Sequence, residues 1–194
     1  MVLKYCDISI ELREIVLRNR PNDLYEASSK GTVPVLITNK NVVIDESLDI
    51  MHWAIKITNN KDIYNCSKEV QDNMIYRNDN EFKKILDKYK YSEKKSKDYM
   101  FYQNKAYNYL LEYEDLLKEK KYLTADVIQL IDIAIFPFIR QFYNVDKDYF
   151  ISNFPHSYKW LNTIIESNLF KLVMHKYDEW SPDNEAEIIN FNEN

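Results

Sequence analysis

Glycine is almost missing from this chain, with one residue in 194, and cysteine and histidine are nearly as scarce, with two and three. Two cysteines, Cys6 and Cys66, are too few for a disulfide scaffold, which fits a reducing compartment and an expected cytoplasmic location. The three histidines, His52, His156 and His175, lack metal-ligand spacing and read as packing or surface residues. There is no apolar run long enough to cross a membrane and no charged-then-apolar leader. Cations are not in excess: the net charge is −5 and the pI about 5.3, which disfavours nucleic acid as a partner. Lys83 to Lys97 is locally basic, but its flanking acids make it a solvated helix end and loop. The lack of glycine beside sixteen tyrosines and abundant Asn, Lys and Ile speaks of an AT-rich genome rather than of a function.

What is present is most informative from Ser29 to Trp53. Thr32–Ile37 and Val42–Ile44 are short β-branched and apolar runs, separated by Thr38-Asn39-Lys40-Asn41, whose asparagines tolerate left-handed turn conformations. The pattern predicts a β-hairpin. Asp45-Glu46-Ser47 then opens a segment with Leu48, Ile50, Met51, Ala54 and Ile55 at helical spacing. A helix start offers free N–H groups to anions and carboxylates. Pro34 removes a ladder donor where the first strand begins. With a cis Val33-Pro34 bond, Val33 could turn its backbone N–H and C=O toward a ligand.

At KGTVPVL (Lys30–Leu36) and DESLDIMHWA (Asp45–Ala54) the chain resembles the glutathione S-transferase superfamily, and within it the bacterial omega-like and glutaredoxin-like group. The resemblance implies that Val33 and a cis Pro34 hold the cysteinyl part of glutathione, and that Glu46 and Ser47 bind its γ-glutamyl end. Upstream, LRNRP (Leu17–Pro21) is similar to the omega-class segment in which a basic residue just before the proline reaches a glutathione carboxylate. Arg20 takes that place, and a guanidinium fork suits a carboxylate.

The same resemblance covers NDNEFKKILDKYKY (Asn78–Tyr91), IDIAIFPFIRQF (Ile131–Phe142) and WLNTIIESNLFKLVMHKYDEW (Trp160–Trp180), which match an all-helical C-terminal domain. Periodicity agrees. Tyr102, Ala106, Tyr109, Leu110, Tyr113, Leu116 and Leu117 fall on one helical stripe. Ile128–Tyr143 is apolar nearly all round, a central buried helix that Pro137 should bend. Asp132 reads as a buried structural acid in the family's capping box, a box weakened here by Gln129 at the cap position, so that a looser helix start is expected.

The superfamily's Cys, Ser or Tyr nucleophile follows the first strand at a helix start, where the dipole lowers a thiol pKa or polarises a hydroxyl. Cys6 lies only 28 residues before Pro34, whereas the intervening elements need roughly 35 to 45. Ile8–Leu17 also alternates as a strand rather than opening a helix. Cys6 is therefore expected to be a small residue at a helix end, and no catalytic residue is assigned. Aligned this way, the first strand and active-site turn of the family do not appear. Either the true start lies upstream of Met1, or the second strand re-pairs directly with the third.

The expected fold is an α+β, two-domain, glutathione transferase-like one. Residues 1–58 would form an incomplete thioredoxin-like, glutathione-binding domain and residues 66–182 an all-α helical bundle, joined by a linker at Asn59–Asn65 and followed by a flexible tail at 183–194. The resemblance implies glutathione as cosubstrate, an electrophilic or disulfide second substrate, and a possible homodimer, with conjugation or thiol transfer in the complete form. The alternative is a non-enzymatic glutathione-binding or protein-interaction module on the same fold.

Overall fold

The structure is a computed structural model that describes residues 1–64 and 67–190; Asn65 of the expected linker, Cys66 and the last four residues lie outside the described part. The chain divides into two compact units, Met1–Asn60 together with the segment from Asn168 onward, and Lys61–Ser167. In chain order the first unit contains α1 (Val2–Tyr5), β1 (Ile10–Leu12), α2 (Asn22–Ala27), β2 (Leu36–Ile37), β3 (Val43–Ile44) and α3 (Ser47–Thr58). The second contains α4 (Lys68–Arg77), α5 (Lys83–Tyr91), α6 (Lys97–Glu119), α7 (Leu130–Val145), α8 (Lys147–Asn153) and α9 (Pro155–Ile165). The chain then returns to the first unit with α10 (Asn168–Val173) and β4 (Glu187–Ile189).

The hairpin forms where the turn residues predict it. β2 and β3 pair antiparallel, Leu36 opposite Ile44 and Ile37 opposite Val43. Thr38 closes the turn: its N–H donates to Val42 O at 2.9 Å, while its Oγ1 accepts from Val42 N–H at 3.0 Å. Asn41 takes φ 57°, the left-handed conformation that asparagine tolerates. α3 buries Ile50, Ala54 and Ile55, packs against α1, and stops at Asn59 in the left-handed conformation.

β1 departs from expectation in length and in partner. The alternating stretch Ile8–Leu17 yields only Ile10–Leu12 as strand, and it does not re-pair with the hairpin. It pairs antiparallel with β4, Ile10 opposite Ile189 and Leu12 opposite Glu187. Beyond the ladder, Trp180 N–H donates to Glu14 O at 2.8 Å, and the Arg13 guanidinium sits 4.8 Å from the Trp180 ring centre. Part of the stretch expected to be a loose tail is therefore a strand, and the helical unit ends at Ser167, short of the expected 182. An alternating strand needs a partner for its N–H and C=O groups, and which distant segment supplies it is not encoded in the strand itself.

In the helical unit α7 is buried along most of its length, from Leu130 to Phe136 and at Ile139 and Phe142, and it continues through Pro137. Its start is better held than the weakened box implied. Asp132, fully buried, accepts from Gln129 N–H at 2.8 Å, Leu123 N–H at 2.9 Å and the Trp160 indole N–H at 2.9 Å. Gln71 on α4 completes it: its Oε1 accepts Ile131 N–H at 3.0 Å, a first-turn donor that has no partner within its own helix.

The stripe on α6 is also rotated from the expected one. Tyr99, Gln103, Ala106, Leu110, Tyr113, Glu114 and Leu117 are buried, whereas Tyr102, Tyr109 and Leu116 are half-buried. Gln103 and Glu114 can be inside because they are satisfied there. The Gln103 amide donates to Tyr89 OH at 3.1 Å, and the Glu114 carboxylate caps α9 by accepting His156 N–H and Ser157 N–H, both at 2.8 Å.

Candidate functional site

The five residues singled out in the sequence, Arg20, Val33, Pro34, Glu46 and Ser47, all lie in the first unit and are all exposed. The Val33-Pro34 peptide is cis. Glu46 is the N-cap residue of α3 and Ser47 its first helical residue; the Glu46 side chain makes no capping hydrogen bond, so it satisfies none of the first-turn N–H groups.

Two side chains tie the loop before Pro34 to the turn before α3. Lys30 Nζ donates to Glu46 Oε1 at 2.6 Å and to Asp45 Oδ1 at 3.0 Å. Ser28 Oγ, buried, donates to the other Asp45 oxygen, Oδ2, at 2.6 Å. These bonds favour the charged forms. The hydrogen bond to Glu46, with a second to Asp45, holds the Lys30 ammonium above its ordinary pKa. The Ser28 hydroxyl, and next Lys30, hold the Asp45 carboxyl below its own.

The one glycine of the chain sits inside this loop. Gly31 is buried and has φ 59°, and a Cβ there would come within 2.3 Å of the Tyr25 ring on α2. Glycine takes the left-handed backbone without strain and leaves the Tyr25 ring where it is, and so sets how the chain turns from α2 into Val33-Pro34. The sequence reading passed over Ser28, Lys30, Gly31 and Asp45 as site residues. The signal was available in part, since three of the four stand inside the two motifs.

Arg20 is not drawn into this cluster: none of the hydrogen bonds or ion pairs of the described residues joins it to Glu46 or Asp45. Cys6 ends α1 with its side chain buried, and its N–H donates to Val2 O at 2.9 Å. Burial pushes its thiol pKa up, Asp7 adds to this, and a hydrogen bond with Thr58 works against them. A thiol at a helix C-terminus gains none of the dipole stabilisation that a thiolate finds at a helix start.

A small α+β unit with few strands, followed in the chain by an all-helical unit, defines the class of protein: a thioredoxin-like domain joined to a helical domain. Family models agree on both parts. Residues 1–57 match the glutathione S-transferase N-terminal domain and residues 71–168 the C-terminal domain; the chain belongs to the glutathione S-transferase superfamily. No curated protein sequence matches it.

Solved structures similar in fold include BphK, a bacterial glutathione S-transferase seen in a ternary complex, at 15% identity and a TM-score of 0.75 over 89% of this chain and 90% of that one. Another is the tau-class enzyme of mango, Mangifera indica, at 20% identity and a TM-score of 0.75, covering 90% of this chain and 85% of the other. A third is URE2P6 of Phanerochaete chrysosporium in complex with oxidized glutathione, at 16% identity and a TM-score of 0.76, covering 89% and 86%.

Proposed function

We propose that the first unit is a glutathione half-site of the bacterial omega-like kind. Val33 and Pro34 align the cysteinyl part of the tripeptide, Glu46 takes its α-ammonium, Ser47 and the open first turn of α3 take the γ-glutamyl carboxylate, and Arg20 reaches a second carboxylate. The observation that carries this reading is the set of three contacts from Lys30 and Ser28 to Asp45 and Glu46, which brings two stretches separated in sequence to one place. Family membership and the fold of glutathione-bound URE2P6 add support.

Glutathione is then the cosubstrate, and an electrophile or a disulfide the second substrate, for conjugation or thiol transfer in the cytoplasm. A homodimer belongs to this reading, and sedimentation equilibrium tests it. Calorimetric titration with glutathione tests the half-site. Binding should be measurable in the natural chain and about tenfold weaker in Glu46→Ala, as befits one charge-assisted hydrogen bond of about 1.4 kcal/mol. Absence of binding, or equal affinity in the variant, rejects the half-site.

The buried, raised thiol of Cys6 favours a second reading, a module that holds glutathione without chemistry. Turnover of a chloronitrobenzene or of a mixed disulfide with glutathione separates the two. Binding without turnover supports the module, and turnover that survives Cys6→Ala supports an enzyme that does not use this thiol.

A further inference from the structure

We propose that Lys30 is a positioning residue for the γ-glutamyl end of the ligand: it pins the Glu46 carboxylate through one oxygen so that the other can receive the ligand's α-ammonium. The inference rests on the half-site proposed above. Glu46 is exposed, and a free glutamate at the surface loses rotamer freedom when it captures a ligand, at a cost in affinity. Lys30 Nζ lies 2.6 Å from Glu46 Oε1, so that ordering is already in place before a ligand arrives.

A cation beside a cation-binding carboxylate would ordinarily compete with the ligand. Here Asp45 removes that conflict. The same ammonium lies 3.0 Å from Asp45 Oδ1, and Ser28 fixes the opposite oxygen of Asp45 at 2.6 Å. Lys30 is thus shared between the two carboxylates, and the cluster of two acids and one base carries one net negative charge spread over Asp45 and Glu46. A zwitterionic amino-acid end fits that balance, its ammonium against Glu46 and its carboxylate against the N–H groups at the start of α3. Gly31, which follows Lys30 with φ 59°, sets where the lysine leaves the loop.

The test titrates the full chain with two probes, glutathione and its deaminated analogue, in which hydrogen replaces the α-ammonium of the γ-glutamyl group. Lys30→Met should weaken glutathione binding by about two- to fivefold, the range of an exposed ion pair. It should leave the affinity for the deaminated analogue unchanged, because that ligand makes no demand on Glu46. Lys30→Arg, which keeps the cation, should stay within about twofold of the natural chain. Thermal melting confirms that Lys30→Met is folded.

Several results overturn the proposal: an unchanged or tighter affinity of Lys30→Met for glutathione, an equal loss for both probes, which would mark a general support of the loop, or a loss in Lys30→Arg as large as in Lys30→Met. The half-site reading fails separately, and takes this inference with it, if the natural chain binds no glutathione. Where the natural chain binds glutathione and Lys30→Met does not change it, only the role of Lys30 is lost.

Discussion

In the helical unit Asp132 and Glu114 are buried, and their carboxylates are filled by fixed N–H groups of the backbone and of Trp160. In the first unit Asp45 and Glu46 lie nearer the surface and share one exposed lysine. The difference separates two uses of the same chemistry. A carboxylate closed off by rigid donors has nothing left to offer a ligand and serves as a rivet between helices. Glu46, held by a single exposed ammonium, keeps lone pairs available, at the cost of contributing little to stability. Packing follows the same division. The aromatic core built from Tyr89, Phe82, Phe142, Phe150 and Phe154 belongs to the helical unit, whereas the first unit buries smaller side chains such as Val2, Ile50, Ala54 and Ile55.

The sharpest way to break this comparison is Asp132→Ala. It leaves the Leu123 and Gln129 N–H groups and the Trp160 indole N–H without their acceptor, and should cost about 3–5 kcal/mol in urea unfolding. Hydrogen exchange should place the loss of protection in residues 61–167, and loss confined to the first unit would contradict the assignment.

Titration separates the two kinds of acid by sign. Burial pushes the Asp132 carboxyl up from 3.8 to about 6, against the pull of its three N–H donors. A folded pKa above the unfolded one means that its contribution is complete below about pH 4 and is lost as pH rises through about 6. Asp45, held low by Ser28 and Lys30, works in the opposite sense: its contribution is present above its ordinary 3.8 and is lost as pH falls. Unfolding midpoints measured from pH 4 to 7 should therefore contain a decline that disappears in Asp132→Asn. An identical profile in the variant would count against the raised pKa.

A smaller effect is expected at Gly31. Gly31→Ala forces a side chain into left-handed backbone and against Tyr25, and should cost about 1–2 kcal/mol. Because Tyr25 is about half exposed, at 48%, its ring can yield, which keeps this below the effect at Asp132. Glutathione affinity should fall with it if the loop carries the half-site. A stability loss with unchanged affinity would uncouple Gly31 from ligand binding.

Much of the local structure was legible in the sequence. The asparagines at 39 and 41 located the hairpin, Asp45-Glu46-Ser47 located the start of α3, and the apolar run around Ile131–Phe136 located the buried helix. The motifs likewise placed Val33, Pro34, Glu46 and Ser47 in one unit. What the reading missed has a common cause. Gln129 is a poor cap by residue type, yet the helix start is held because Gln71 arrives from another helix and Asp132 is locked from three sides. The expected α6 stripe rests on hydrophobicity, so it does not include Gln103 and Glu114, which are buried through partners outside the helix.

By itself, then, the sequence determined where short-range periodicity and turn chemistry act: helix spans, the hairpin, the buried character of α7 and the family to which the chain belongs. Only the tertiary structure decided that β1 pairs with β4 across almost the whole length of the chain, that Asp132 and Glu114 are riveted by donors from other elements, and that Lys30 reaches across to Asp45 and Glu46. The physical reason is that periodicity and turns depend on neighbours a few residues away. A strand edge, a buried carboxylate or a surface ammonium is satisfied by whichever group the fold brings within about 3 Å, and no local pattern names that group.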